Sequence, residues 1–231
     1  MTAKELLARL CVLRLGAIVL VTSAGCGSSP SSPSPSASAT LDRGAVVSAL
    51  EYWRDTAGIT FVLTNTDTTP RILIRPGTDG LGPQGGGRAG PDGTYSDNQL
   101  SSGLVVIEPG GGNYCKSTTQ SCRYLYRHEV GHALGFFGHS GLTGLMQSGS
   151  DQLNERELRM MRVLYAMPHG ARVEPDGTWQ VAGTAVNGTL DLELARDIIE
   201  WNMTASGGAS YRRRDAISRW ELPVRVYLRD K

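Results

Sequence analysis

His128-Glu129-Val130-Gly131-His132-Ala133-Leu134-Gly135-Phe136-Phe137-Gly138-His139 holds three of the four histidines in the chain. On a helix, residues four apart lie on one face, about 40° apart in projection. His128 and His132 can therefore offer two imidazoles to one tetrahedral metal ion. Glu129 is offset from both, so it is placed to touch water beside such an ion rather than the ion itself. Val130, Ala133, Leu134 and Phe137 fall at i, i+3, i+4 and i+7. That spacing makes an apolar stripe opposite the histidines, able to anchor the helix by one face. The plainer reading is a helix with two solvated histidines, since short motifs also arise by chance.

The continuation argues against the plainer reading. A straight helix cannot bring a third ligand back to the same ion. The chain must stop and turn, and a glycine with access to positive φ permits that. Gly135 stands where the turn is needed, His139 follows it, and Ser140-Gly141-Leu142-Thr143-Gly144-Leu145 leads to Met146. HEVGHALGFFGH followed by GLMQSG resembles the signature of metzincin zinc proteases, HExxHxxGxxH with a downstream Met-turn. Within that family it is similar to the matrixin-like bacterial branch.

The resemblance implies an α+β fold with a small mixed twisted sheet, an active-site helix and a Met-turn. It implies Zn2+ held by His128, His132 and a third histidine, with Glu129 as general base. Gly135 matches the turn glycine and Met146 the methionine beneath the metal. The implied reaction is peptide-bond hydrolysis, on a peptide or protein substrate held extended along a sheet edge. The chain departs from the pattern at the third ligand. The family places it three residues after the glycine, at Gly138 here, which has no side chain to ligate with. His139 lies one residue later, yet Met146 still falls 18 residues after His128, the separation typical of matrixins. A one-residue bulge before His139, made feasible by Gly138, reconciles the two. His169 is the alternative ligand, and its plainer reading is a helix-end histidine beside Pro168.

The rest of the chain sets the context. Its 231 residues, 40% hydrophobic and 19% charged, fit one globular domain with room for a core. A net charge of +1 gives no global attraction to nucleic acid, and none is expected as a partner. The basic C-terminal stretch has Asp215, Glu221 and Asp230 interleaved and reads as a solvated face. Lys4, Arg9 and Arg14 flank and precede a short apolar run, Leu15 to Val21, which is too short to span a bilayer. Residues 1–25 read as a signal peptide. Ser23-Ala24-Gly25-Cys26 resembles a bacterial lipoprotein processing site, except that Ser23 stands where an aliphatic residue is usual. The resemblance implies acylation of Cys26 and anchorage in the cell envelope; plain secretion after cleavage near Gly25 is the alternative. Residues 27–40, all Ser, Pro, Ala, Gly and Thr, read as a tether. The domain proper is then 41–231, expected to be monomeric. Its two cysteines, Cys115 and Cys122, read as one disulfide, as an even pair in an exported domain should.

Within the domain, Asp42 can cap a first helix with Val46, Ala49, Leu50, Trp53 and Ala57 at helical spacing and Gly58 at its end. Ile59–Leu63 and Arg71–Arg75 read as strands. Residues 76–102, rich in Gly, Pro, Asp and Ser, read as a long surface loop and a candidate cleft wall. Gly103–Ile107 reads as a buried strand. A second helix from about Arg123 carries the histidine motif. A third begins at Asn154, whose pairing with Glu157 looks like a capping box. A short strand lies near Trp179, and a fourth helix covers about 190–202. Residues 223–228 alternate like a strand with one buried face.

Matrixin-like domains usually open with a strand of that last kind. Here the chain passes from the tether almost directly into the first helix. The resemblance therefore suggests a circular permutation, in which residues 224–228 pair beside Ile59–Leu63 and fill a vacant central position. A separate C-terminal appendage is the alternative. Two other functions remain open at this level: a zinc-binding relative without proteolysis, and an adhesion or carbohydrate-binding surface lipoprotein with a chance motif.

Overall fold

The first helix forms for the reasons its sequence suggests. Asp42 accepts the Ala45 N–H through its side chain, and Gly58 ends the helix with φ 76°. Helix α1 spans Arg43–Ala57 and buries Val46, Ala49, Leu50, Trp53 and Ala57. The computed structural model describes residues 40–81, 86–94, 96–109, 115, 119–183, 187–203 and 215–230. The leader, Cys26 and all but the last residue of the tether lie outside the described residues.

The architecture is mixed α and β. Strands β1 (Phe61–Thr64), β2 (Arg71–Pro76), β3 (Gly87–Thr94) and β4 (Leu100–Ile107) precede helix α2 (Thr119–Leu134). The two-residue strands β5 (Thr143–Gly144) and β6 (Ser148–Gly149) lead to helix α3 (Glu155–Ala166). A three-stranded antiparallel sheet follows, of β7 (Ala171–Val173), β8 (Thr178–Val181) and β9 (Asn187–Thr189). Helix α4 (Leu192–Ile198) runs on into a π-helical turn, Ile199–Met203, and β10 (Val224–Leu228) comes last.

The main sheet has the order β1-β10-β2-β4-β3. Strand β10 lies between β1 and β2, parallel to both, with Val224 opposite Phe61 and Val226 opposite Ile72. Neighbouring strands stand ~4.8 Å apart, so β1 and β2 are separated by about twice that, and β10 occupies the slot. The strand-like C-terminal segment is thus part of the sheet and not an appendage. Its Val224, Val226 and Leu228 enter the hydrophobic core.

Residues 76–102 are not one long loop. Residues 87–94 form β3, antiparallel to β4, and β4 begins at Leu100 rather than Gly103. Glycine and proline disfavour a central strand, but among the described residues β3 is an edge strand of the main sheet. An edge tolerates Pro91, and the register shifts just after it, between Pro91 and Gly93. Helix α2 also ends earlier than its apolar stripe suggests. Phe137 lies beyond the last helical residue, though it is buried.

Candidate metal centre

Helix α2 packs against α1, β3 and β4. It is seated closely because Gly131 has no side chain. A Cβ there would lie 2.5 Å from Met146 Sδ and 2.7 Å from Trp53 Cζ2. Trp53 is further held by its indole N–H, which donates to the Arg127 carbonyl at 2.9 Å. An unhindered Gly→Ala change inside a helix stabilises by about 1 kcal/mol. At position 131 the overlap reverses the sign. Gly131→Ala is expected to destabilise the fold by about 1–3 kcal/mol, read as a lowered melting temperature. A melting temperature at or above wild type would show that the methionine does not press on this face.

His128 and His132 are each oriented by a backbone carbonyl. His128 Nδ1 lies 2.6 Å from Leu145 O, and His132 Nδ1 lies 2.6 Å from Phe136 O. A carbonyl only accepts, so both Nδ1 atoms carry the proton and both Nε2 atoms present lone pairs. Those two Nε2 atoms face each other at 3.0 Å. Two lone pairs at that distance repel unless a cation or a proton sits between them. Burial works against the proton: it takes His128 down to about 4 and His132 well below the ordinary imidazole range. A tetrahedral ion with ~2.0–2.1 Å bonds sets its nitrogen ligands roughly 3.3 Å apart, close to what the rings show.

His139 completes the group. Its ring centroid is 5.2 Å from that of His128 and 5.0 Å from that of His132. The ligand atoms of all three residues lie within 4.8 Å of one another. His128 and His132 are 6% exposed, whereas His139 is on the surface, so the group opens to solvent on that side. The three side chains fit a metal ion: neutral imidazoles, convergent, with two tautomers already set by the backbone. His169 is not in this group. It sits beyond α3, facing the Asp97 carbonyl at 3.1 Å and Glu221 at 3.6 Å.

The turn between the second and third histidines is made at Gly135, with φ 119°. Gly138 is not the flexible point; it takes no positive φ and is buried. The stretch before His139 is instead held by hydrogen bonds. Phe137 N and Gly138 N both donate to Trp201 O, at 2.7 and 3.3 Å. The carbonyls at the end of α2 have no partner further along the helix, and other elements supply one. Trp220 Nε1 donates to Ala133 O at 2.8 Å, Tyr165 OH to Leu134 O at 2.8 Å, and Asn202 Nδ2 to Gly135 O at 2.7 Å.

Glu129 is 6% exposed, and burial pushes its carboxyl up to about 8. Part of that burial comes from the start of β3. A Cβ on Gly87 would lie 2.7 Å from Glu129 Cγ, so the strand backbone rests directly on the side chain. Nothing in the glycine-rich sequence marks Gly87 apart from its neighbours.

Met146 is fully buried, and the turn carrying it is built around Glu157. That carboxylate accepts from Leu145 N (3.1 Å), Met146 N (3.1 Å), Asn154 N (3.0 Å) and Ser140 Oγ (2.7 Å). The capping box between Asn154 and Glu157 is present as the sequence suggests. Its second duty, fixing the loop whose Leu145 carbonyl orients His128, is not visible in sequence because it links residues eleven and twelve positions apart across a turn. Cys115 and Cys122 form a disulfide at the head of α2.

No known protein family, curated protein or solved structure matches this chain. No helix among the described residues is long and apolar enough to cross a membrane.

Proposed function

We propose that this protein is a zinc-dependent endopeptidase built on the metzincin plan, with His128, His132 and His139 as ligands and Glu129 as general base. The observation that carries the reading is the pair of backbone-oriented imidazoles whose free nitrogens converge with His139, beside a buried carboxylate. Three nitrogen donors with an open side are the usual pattern of a catalytic zinc site. A purely structural zinc has no use for a carboxylate at that place.

Zinc, when bound, supplies Lewis-acid polarisation of a carbonyl and makes water more acidic. Glu129 removes a proton from the attacking water as the carbon–oxygen bond forms. It then returns that proton to the leaving amine as the carbon–nitrogen bond breaks, so the net change is addition of one water. Among the described residues β3 is the outermost strand of the main sheet on the side of α2. An extended peptide substrate would lie alongside this strand, next to Glu129. On the metzincin plan, β10 is the opening strand moved to the far end of the chain, a circular permutation.

The same proposal places the domain outside the cytoplasm, exported by residues 1–25 and tethered by an acylated Cys26. The Cys115–Cys122 disulfide supports an oxidising compartment.

The test is digestion of a diverse peptide library by the zinc-loaded protein. Cleavage is expected, lost on chelation and restored by added zinc. One tightly bound zinc without cleavage of any peptide would instead favour a metal-binding relative that has lost proteolysis. Absence of zinc binding would leave only a chance motif.

A further inference from the structure

The rings of His128 and His132 are oriented by carbonyls, but among the described residues the His139 ring has no hydrogen-bond partner. An exposed imidazole without a partner is placed only as well as its backbone is. Past Phe136, whose N–H still bonds back to Gly131 O at 3.1 Å, the backbone leading to His139 has left the helix. What holds it comes from far along the chain. Asn202 is fully buried in the π-helical turn. Its Nδ2 donates to Gly135 O at 2.7 Å and to Ser218 O at 2.9 Å, and its Oδ1 accepts from Ser218 N at 3.0 Å. Both amide hydrogens and the amide oxygen are therefore engaged. The neighbouring Trp201 carbonyl takes the N–H groups of Phe137 and Gly138.

We propose that Asn202 is a positioning residue for the third metal ligand, His139. It locks the Gly135 turn to the segment that leads into β10, before any metal arrives. This rests on the metal-site reading above. The physical reason is pre-organisation. A ligand loop that is already ordered binds without losing further conformational freedom, and removing an outer partner of a ligand typically costs 10–100-fold in metal affinity. The geometry favours asparagine specifically. Aspartate cannot donate to two carbonyls, and serine is too short to span Gly135 and Ser218 together.

Two measurements test this. In the wild-type protein stripped of metal, amide hydrogen exchange of Phe137 and Gly138 is expected to be slow already, and little changed by zinc. Fast exchange that becomes slow only with zinc would mean that the metal orders the loop, which overturns the proposal. In Asn202→Ser, zinc affinity by competition with a chromophoric chelator is expected to fall about 10–100-fold. In a His139→Ala background the same substitution is expected to make no further difference. A folded Asn202→Ser protein that holds zinc as tightly as wild type would show that Asn202 is merely structural. The readouts are exchange and zinc binding, so they stand whether or not peptides are cleaved. If His139→Ala itself leaves zinc affinity unchanged, the third-ligand assignment fails and this proposal fails with it.

Discussion

Glu129→Gln is expected to keep zinc bound and to lose peptide hydrolysis, with kcat/KM lower by about 10²–10⁴-fold, the range typical of a removed general base. That corresponds to about 3–5 kcal/mol of lost transition-state stabilisation. Glutamine has nearly the same shape, so the contact with Gly87 and the seat of α2 on β3 are preserved. The effect should therefore fall on turnover and leave zinc stoichiometry and melting temperature close to wild type. Glutamine can hydrogen-bond to water but cannot take its proton. A variant that retains zinc and cleaves at more than a tenth of the wild-type rate would remove Glu129 from the role of base. A variant that loses zinc would mean that the carboxylate contributes to the metal site itself.

The second large effect is on folding. Val226→Asp is expected to prevent cooperative folding at neutral pH, and so is removal of residues 224–231. Val226 is fully buried and pairs with both neighbours, opposite Leu63 on β1 and Ile72 on β2. A carboxylate there has no cation to pair with in the sheet register, and an unpaired buried charge costs several kcal/mol. Total stability of a domain this size is about 5–15 kcal/mol. Removal of the strand is worse, because β1 and β2 would then face each other across an empty slot with unpaired backbone groups. Circular dichroism against temperature reads the result. A sharp two-state melt in the truncated protein would show that β10 is dispensable and that the sheet closes without it.

Much of the site was legible because its residues are close in sequence. The i, i+4 spacing of His128 and His132, the turn at Gly135 and the Asn154–Glu157 cap are local geometry, and local geometry survives in a single sequence. His139 was legible despite standing one residue off the family spacing, since Gly138 offers no ligand atom. The slot filled by β10 could be inferred from the resemblance to domains that open with such a strand, since the chain here enters its first helix without one. What was not legible is contact between distant elements. Gly87 looks like any glycine in a loop-like stretch, yet it lies on the buried Glu129. Residues 87–94 look unfit for a strand, but an edge position asks less of them. Trp201, Asn202 and Trp220 reach the end of α2 and the turn after it from far along the chain, and no periodicity announces that.

The order of strands in the main sheet also governs timing. A chain emerges from the ribosome N-terminus first, and it would cross a membrane in the same direction. The helix with two of the histidines is made early, but the strand in the middle of the sheet is made after every other strand described. So are Trp220 and Asn202, which occupy the last carbonyls of that helix. Until they arrive the histidine turn lacks part of its support, and pairing across so long a stretch of sequence is slow. A nascent chain of this protein therefore cannot set its histidine group in final form until β10 and the segment before it have been made.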